Sequence, residues 1–160
     1  METVYLETTI ISYLASEPSR DLIVAGHQQI THEWWTRRRE LFACSISQEV
    51  LDEISRGNPA QVARRLAIAR ALPKLTASGE AEDLTLQLLR SGALPATATS
   101  DAAHVAIAAT ARMDYLLTWN CRHIANGQIL KRAAVVCERA GYRLPAVCTP
   151  EELMGGDADV

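Results

Sequence analysis

Five short runs of strand-favouring residues are spread along this chain with helical stretches between them, and that alternation limits the possible folds more than any other feature. The runs are Val4-Tyr5-Leu6, Leu41 to Ser45, Lys74-Leu75-Thr76, Tyr115 to Trp119 and Ala146-Val147-Cys148. Strands separated by helices pair in parallel through right-handed crossovers and carry helices on both faces. The expected fold is therefore α/β, a three-layer α/β/α sandwich around a mostly parallel sheet of four to five strands. At 160 residues the chain is one domain's length and buries about two thirds of its unfolded surface without staples. Residues 1–154 are expected to form that single domain and 155–160 a flexible C-terminal tail.

Boundary signals refine the helices. Thr8 and Thr9 open about two turns that stop before Glu17-Pro18. Ser19 is the expected cap of a long helix to about Arg39, with Leu22, Gly26, Ile30 and Trp34 along its inner face. Ser45 or Ser47 caps the next helix, which carries Glu49 and Glu53 and ends at Gly57. Pro59 suits the first turn of another helix, and a further one covers about Glu80 to Leu89. Thr99-Ser100-Asp101 caps an Ala-rich helix over 102–112, and a last long helix runs from about Asn126 to Ala140. Thr149-Pro150-Glu151-Glu152 has capping-box form.

A net charge of −3 does not advertise nucleic-acid binding, so a basic surface, if RNA is a partner, is local. Trp34-Trp35 followed by Arg37-Arg38-Arg39 has two readings: base stacking with phosphate pairing, or core and rim tryptophans beside solvated arginines at a helix end. Cys44, Cys121, Cys137 and Cys148 lack C-x-x-C and zinc-finger spacing, which favours free thiols and a cytoplasmic protein. Glu2 and the missing cationic region argue against a signal peptide. No apolar stretch reaches the ~18 residues of a spanning helix.

The chemistry-bearing residues fall at element ends. Glu7 follows the first strand and Asn120 follows Tyr115 to Trp119, so in a parallel sheet both reach the edge where ligands bind. Glu53 lies on the helix that follows the Leu41 strand and Asp101 at the start of the helix that feeds the Tyr115 strand, an arrangement that can bring both toward the same crevice. Each has a plain structural reading too: Glu7 and Asp101 are well placed as first-turn helix acids. Glu49, one turn before Glu53, is an alternative to it. Thr8 supports Glu7, binds a metal-bound water or caps a helix. His104 bonds Asp101 or packs in the core. His27 and His32 do not have the spacing of a two-histidine zinc helix. Arg56, Arg122 and Lys131 are candidates for phosphate contacts.

Taken in order, Glu7-Thr8-Thr9, Glu53-Ile54-Ser55-Arg56-Gly57, Asp101-Ala102-Ala103-His104-Val105-Ala106 and Thr118-Trp119-Asn120 with His123 resemble a PIN domain, particularly the VapC-like toxins of toxin–antitoxin pairs. The resemblance spans essentially the whole chain. It implies a ribonuclease cleaving RNA phosphodiesters, with Glu7, Glu53, Asp101 and Asn120 as the catalytic and metal-binding set for Mg²⁺ or Mn²⁺. It also implies a small antitoxin partner and a homodimer, with no membrane association, and it favours Glu53 over Glu49. Such ions take oxygen ligands, and clustered carboxylates need a cation to offset their repulsion. Two departures stand out: Glu7 replaces the family's usual Asp, and Asn120 stands where many relatives have Asp. They motivate a second expectation, an inactive PIN fold that binds RNA or a protein. A phosphatase or receiver-like domain would need an Asp at a strand end, where this chain has Glu7.

Overall fold

The structure, a computed structural model, describes residues 1–155; most of the expected tail, from 156 onward, lies outside the described residues. Four strands, β1 (Thr3–Leu6), β2 (Ala43–Ser45), β3 (Tyr115–Leu117) and β4 (Ala146–Cys148), form one sheet in the order β2-β1-β3-β4. Every pairing is parallel, with Tyr5 opposite Ser45 on one side and Leu116 on the other. The three-layer α/β/α arrangement follows. Of the five runs, only Lys74 falls short of a strand: it makes a single parallel bridge to Ile46.

Seven α-helices are present among the described residues: α1 (Thr8–Ala15), α2 (Leu22–Arg37), α3 (Gln48–Ile54), α4 (Pro59–Ala69), α5 (Gly79–Arg90), α6 (Thr99–Thr110) and α7 (Gly127–Arg139). Helix α1 packs against α2, α3 and α4, while α5 packs against α6 and α7. Central strand β1 is flanked on both edges, and its Val4, Tyr5 and Leu6 are fully buried. That is the continuous apolar run expected of a strand inside a parallel sheet. None of the described helices is long and apolar enough to cross a membrane.

Several boundaries depart from the sequence reading. Asp21, not Ser19, caps α2, accepting from the amides of Ile23 and Val24. The inner face of α2 is Gln28, Thr31 and Trp34, while Leu22 is 88% exposed. Gln28 belongs inside because its amide nitrogen donates to Ser16 Oγ (2.7 Å) and Glu17 O (3.1 Å), while its oxygen accepts from Ser19 N (2.9 Å). Those bonds satisfy the polar backbone of the turn between α1 and α2, which no apolar residue can do. The run from Leu41 is strand only from Ala43, because Arg39–Leu41 forms a 3₁₀ turn. Ser47, the second of the two candidates, caps α3.

Helix α6 begins at Thr99, and Ala98 at its cap position makes no side-chain bond. Thr149 and Glu152 make only half of a capping box: Glu152 Oε1 accepts from Thr149 N (2.9 Å) and Oγ1 (3.0 Å), while Glu152 N donates to the Thr149 backbone oxygen and only a turn follows. Trp34 is core, and Trp35 is partly buried with the Arg39 guanidinium 4.6 Å above its ring. The packing reading of that cluster accounts for both rings.

Candidate active site

The chain leaves β1 to build β2 on one side and returns to build β3 on the other. The carboxyl-terminal edge between β1 and β3 is thus a topological switch point, where open α/β sheets form a crevice. Register pairs Leu6 with Leu117, so Glu7 and Thr118 are the residues that emerge there side by side. Glu7 N donates to Leu117 O (3.0 Å). Asn120 does not end the strand: it lies in the turn beyond, where its backbone oxygen accepts from Ile124 N (3.1 Å) and Ala125 N (2.8 Å).

Two hydrogen-bonded networks lie at this edge, one running from Glu7 through Thr118 and Asn120 to Asp101, the other holding Glu53. Glu7 Oε2 accepts from Thr9 N (2.7 Å), Thr9 Oγ1 (2.7 Å) and Thr118 Oγ1 (3.2 Å). The Thr118 hydroxyl in turn accepts from Asn120 N (2.9 Å). Asn120 Nδ2 donates to Asp101 Oδ1 (3.0 Å), and His123 Nδ1 meets Asp101 Oδ2 (2.9 Å). On the other side, Thr8 Oγ1 donates to Glu53 Oε1 (2.7 Å), which also receives His104 Nε2. Glu49 turns instead to the Ser100 hydroxyl.

Glu7 is the N-cap of α1, one residue before the first turn. Asp101 does lie in the first turn of α6, but both of its oxygens are committed across the crevice rather than to its own helix. Asn120 presents its amide nitrogen to Asp101 because its oxygen accepts from His123 N (3.0 Å). Thr8 supports Glu53, not Glu7. His104 is wholly buried and joins Glu53 to the Tyr5 hydroxyl (2.7 Å from Nδ1), so it does not bond Asp101. Trp119, packed parallel to the His27 ring at 4.0 Å, donates from Nε1 to Thr31 Oγ1 (2.7 Å) and anchors the turn that carries Asn120.

Electrostatics set the three acids apart. Burial raises the Glu7 carboxyl, at 3% exposure, above the usual carboxylate range despite the nearby His104 and the Thr9 bonds. Burial pushes Glu53 the same way but is outweighed by the His104 bond and charge and by Thr8, so Glu53 is held low. His104 is the mirror case: burial opposes its charge, yet Glu53 and Glu7 raise it. Burial also keeps the Tyr5 phenol protonated, well above its ordinary value.

Among the described residues, no three acid, histidine or cysteine side chains close into a ready-made metal cage. The donor set nevertheless suits a hard cation. Every hydrogen bond given to Glu7 falls on Oε2 and every one given to Glu53 falls on Oε1, which leaves one oxygen of each carboxylate over. No Lys or Arg forms a salt bridge to these acids among the described residues. Magnesium is commonly held by one or two carboxylates with several waters, so a closed cage is not a requirement.

The structure aligns with a chain in the crystal structure of VapBC2 from Rickettsia felis bound to a DNA fragment from their promoter. The match covers 92% of this chain and 98% of that one, with a TM-score of 0.59 and 15% sequence identity. The chain has a VapC-like PIN fold. No protein-family model matches the sequence, and no curated protein does. The alignment spans nearly the full length of both chains.

Tyr5, Ser47, Thr118 and His123 also belong to these two networks. In the sequence Ser47 stands as a cap candidate and Thr118 and His123 stand with Asn120 in the PIN-like motif, whereas Tyr5 is legible only as part of a strand.

Proposed function

We propose that this chain is a metal-dependent endoribonuclease, acting as the toxin of a toxin–antitoxin pair. The observation that supports the reading is the network joining Glu7, Asn120 and Asp101 at the switch-point crevice, with Glu53 held beside it by Thr8, the residue next to Glu7. The structural neighbour is a VapBC2 assembly bound to promoter DNA, which supports a small antitoxin as this chain's partner. A homodimer is part of the same proposal.

Glu7, Glu53 and Asp101 would hold Mg²⁺ or Mn²⁺, with Asn120 fixing Asp101 and completing the set. Such an ion supplies an activated water and stabilises charge on a phosphodiester. The chain's own contribution is orientation. Thr9 and Thr118 fix one oxygen of Glu7, Thr8 and His104 fix one of Glu53, and Asn120 with His123 fixes Asp101. Exposed Arg56, Arg122 and Lys131 are the candidate contacts for RNA phosphates.

Cleavage of single-stranded RNA in Mg²⁺ or Mn²⁺ tests this. Wild type should cut, EDTA should stop it, and Asp101→Asn should lower the rate by at least about a hundredfold, the order seen when a charge-stabilising group is removed. A second reading, a PIN fold that binds RNA or a protein without cutting, is favoured by two observations. Glu7 is spent as a helix cap, and Asn120 turns nitrogen rather than oxygen to Asp101. Equal background signal from wild type and Asp101→Asn would establish that reading.

A further inference from the structure

Helix α3 is only seven residues long, too short to hold its own shape in water, yet it carries Glu53 next to its last residue. Both of its ends are tied to one buried chain of polar groups. At the start, Val50 N donates to the Ser47 hydroxyl (3.3 Å), which lies 2.7 Å from the Tyr5 hydroxyl of β1. The same Tyr5 oxygen is 2.7 Å from His104 Nδ1 on α6, and His104 Nε2 meets Glu53 near the other end of α3. Tyr5 and His104 are both fully buried.

We propose that Tyr5 and His104 are the positioning residues of Glu53, strapping both ends of α3 to the sheet and to α6 so that the carboxylate faces the crevice. A carboxylate is acceptor-only, so His104 must present Nε2–H to it. Nδ1 then meets the Tyr5 oxygen whether the ring is charged or neutral. Stability alone does not call for this arrangement: a buried charged cluster replaced as a whole by apolar side chains of similar volume is often no less stable. What an apolar replacement loses is a fixed direction for Glu53. Outer groups that orient a metal-binding side chain typically change metal affinity by about 10–100-fold.

This inference rests on the metal-site reading for its affinity measurement and is independent of it for the second. Mn²⁺ binding followed by electron paramagnetic resonance should weaken about 10–100-fold in His104→Leu. His104→Gln, which restores an N–H near the Nε2 position, should recover most of that loss. In EDTA, Tyr5→Phe keeps the ring and the fold but should speed hydrogen exchange at the α3 amides. Wild-type Mn²⁺ binding that His104→Leu leaves unchanged would overturn the positioning role. A wild type that binds no Mn²⁺ would overturn the metal-site reading instead, and the strap would then stand or fall on the α3 exchange rates of Tyr5→Phe.

Discussion

Replacing Glu7 separates its two jobs. In Glu7→Ala, α1 loses its cap, worth about 1 kcal/mol, and the Thr9 and Thr118 hydroxyls lose their shared acceptor at a further cost of ~1–3 kcal/mol. In acid, where no buried charge is relieved by the change, the sum is about 2–4 kcal/mol, which for a chain of this size lowers the melting temperature by roughly 4–16 °C. Glu7→Gln keeps an oxygen to accept from Thr9 N but removes the buried charge. Because burial raises the Glu7 carboxyl, the stability linked to its protonated form is complete below the unfolded carboxylate value and is lost as pH rises through the raised one. In EDTA, Glu7→Gln should therefore match wild type in acid and melt above it toward neutral pH. With Mn²⁺ at a hundredfold excess over its Kd, wild type should regain about 2.7 kcal/mol, and Glu7→Gln markedly less. Thermal melting by circular dichroism at several pH values, with and without Mn²⁺, reads all of this. A Glu7→Gln protein that melts below wild type in EDTA at neutral pH would refute this reading of Glu7, as would a Glu7→Ala protein that melts unchanged in acid.

Asn120→Asp should sharpen the same trade-off. It turns the Nδ2 donor to Asp101 into a second carboxylate, so melting in EDTA should fall, by about 1–3 kcal/mol for the lost bond and repulsion, while Mn²⁺ titration shows tighter binding. Arg112 is the one non-glycine residue with positive φ among the described residues, at 55°; Arg112→Gly should raise chemical-denaturation stability by about 1 kcal/mol by relieving the left-handed backbone. Of the four thiols only Cys121 is exposed, while burial lifts Cys44 and Cys137 to about 11 and Cys148 to about 12. A colorimetric disulfide reagent at pH 8 should therefore titrate one thiol in the native protein and four in denaturant.

Element order was readable because each strand is a short apolar run ended by a polar residue, and each helix carries its own stop or start signal. The places where α2 and the site departed from expectation share a cause. Gln28 is inside because of Ser16 and Glu17, and Tyr5 is polar core because of Ser47 and His104, partners 42 and 99 residues away. No periodicity encodes such pairs. Glu7 and Asp101 were visible as acids at element ends, but whether each serves its own helix or the crevice depends on Thr118 and Asn120. That choice is made by the register of β1 on β3 and not by either segment alone. Thr118 is visible in the Thr118-Trp119-Asn120 run, but its place beside Glu7 at the strand ends is not, because the apolar run continues past it to Trp119.

The sheet's outer strands, β2 and β4, are three residues each. Pro145, which has no amide hydrogen, immediately precedes β4, and Lys74 already occupies the ladder beyond β2 through Ile46. A second molecule arriving edge-on would find little free backbone to zip onto, which is how natural sheets resist running together into fibres. The short edges therefore favour the free monomeric sheet over edge-to-edge pairing between copies.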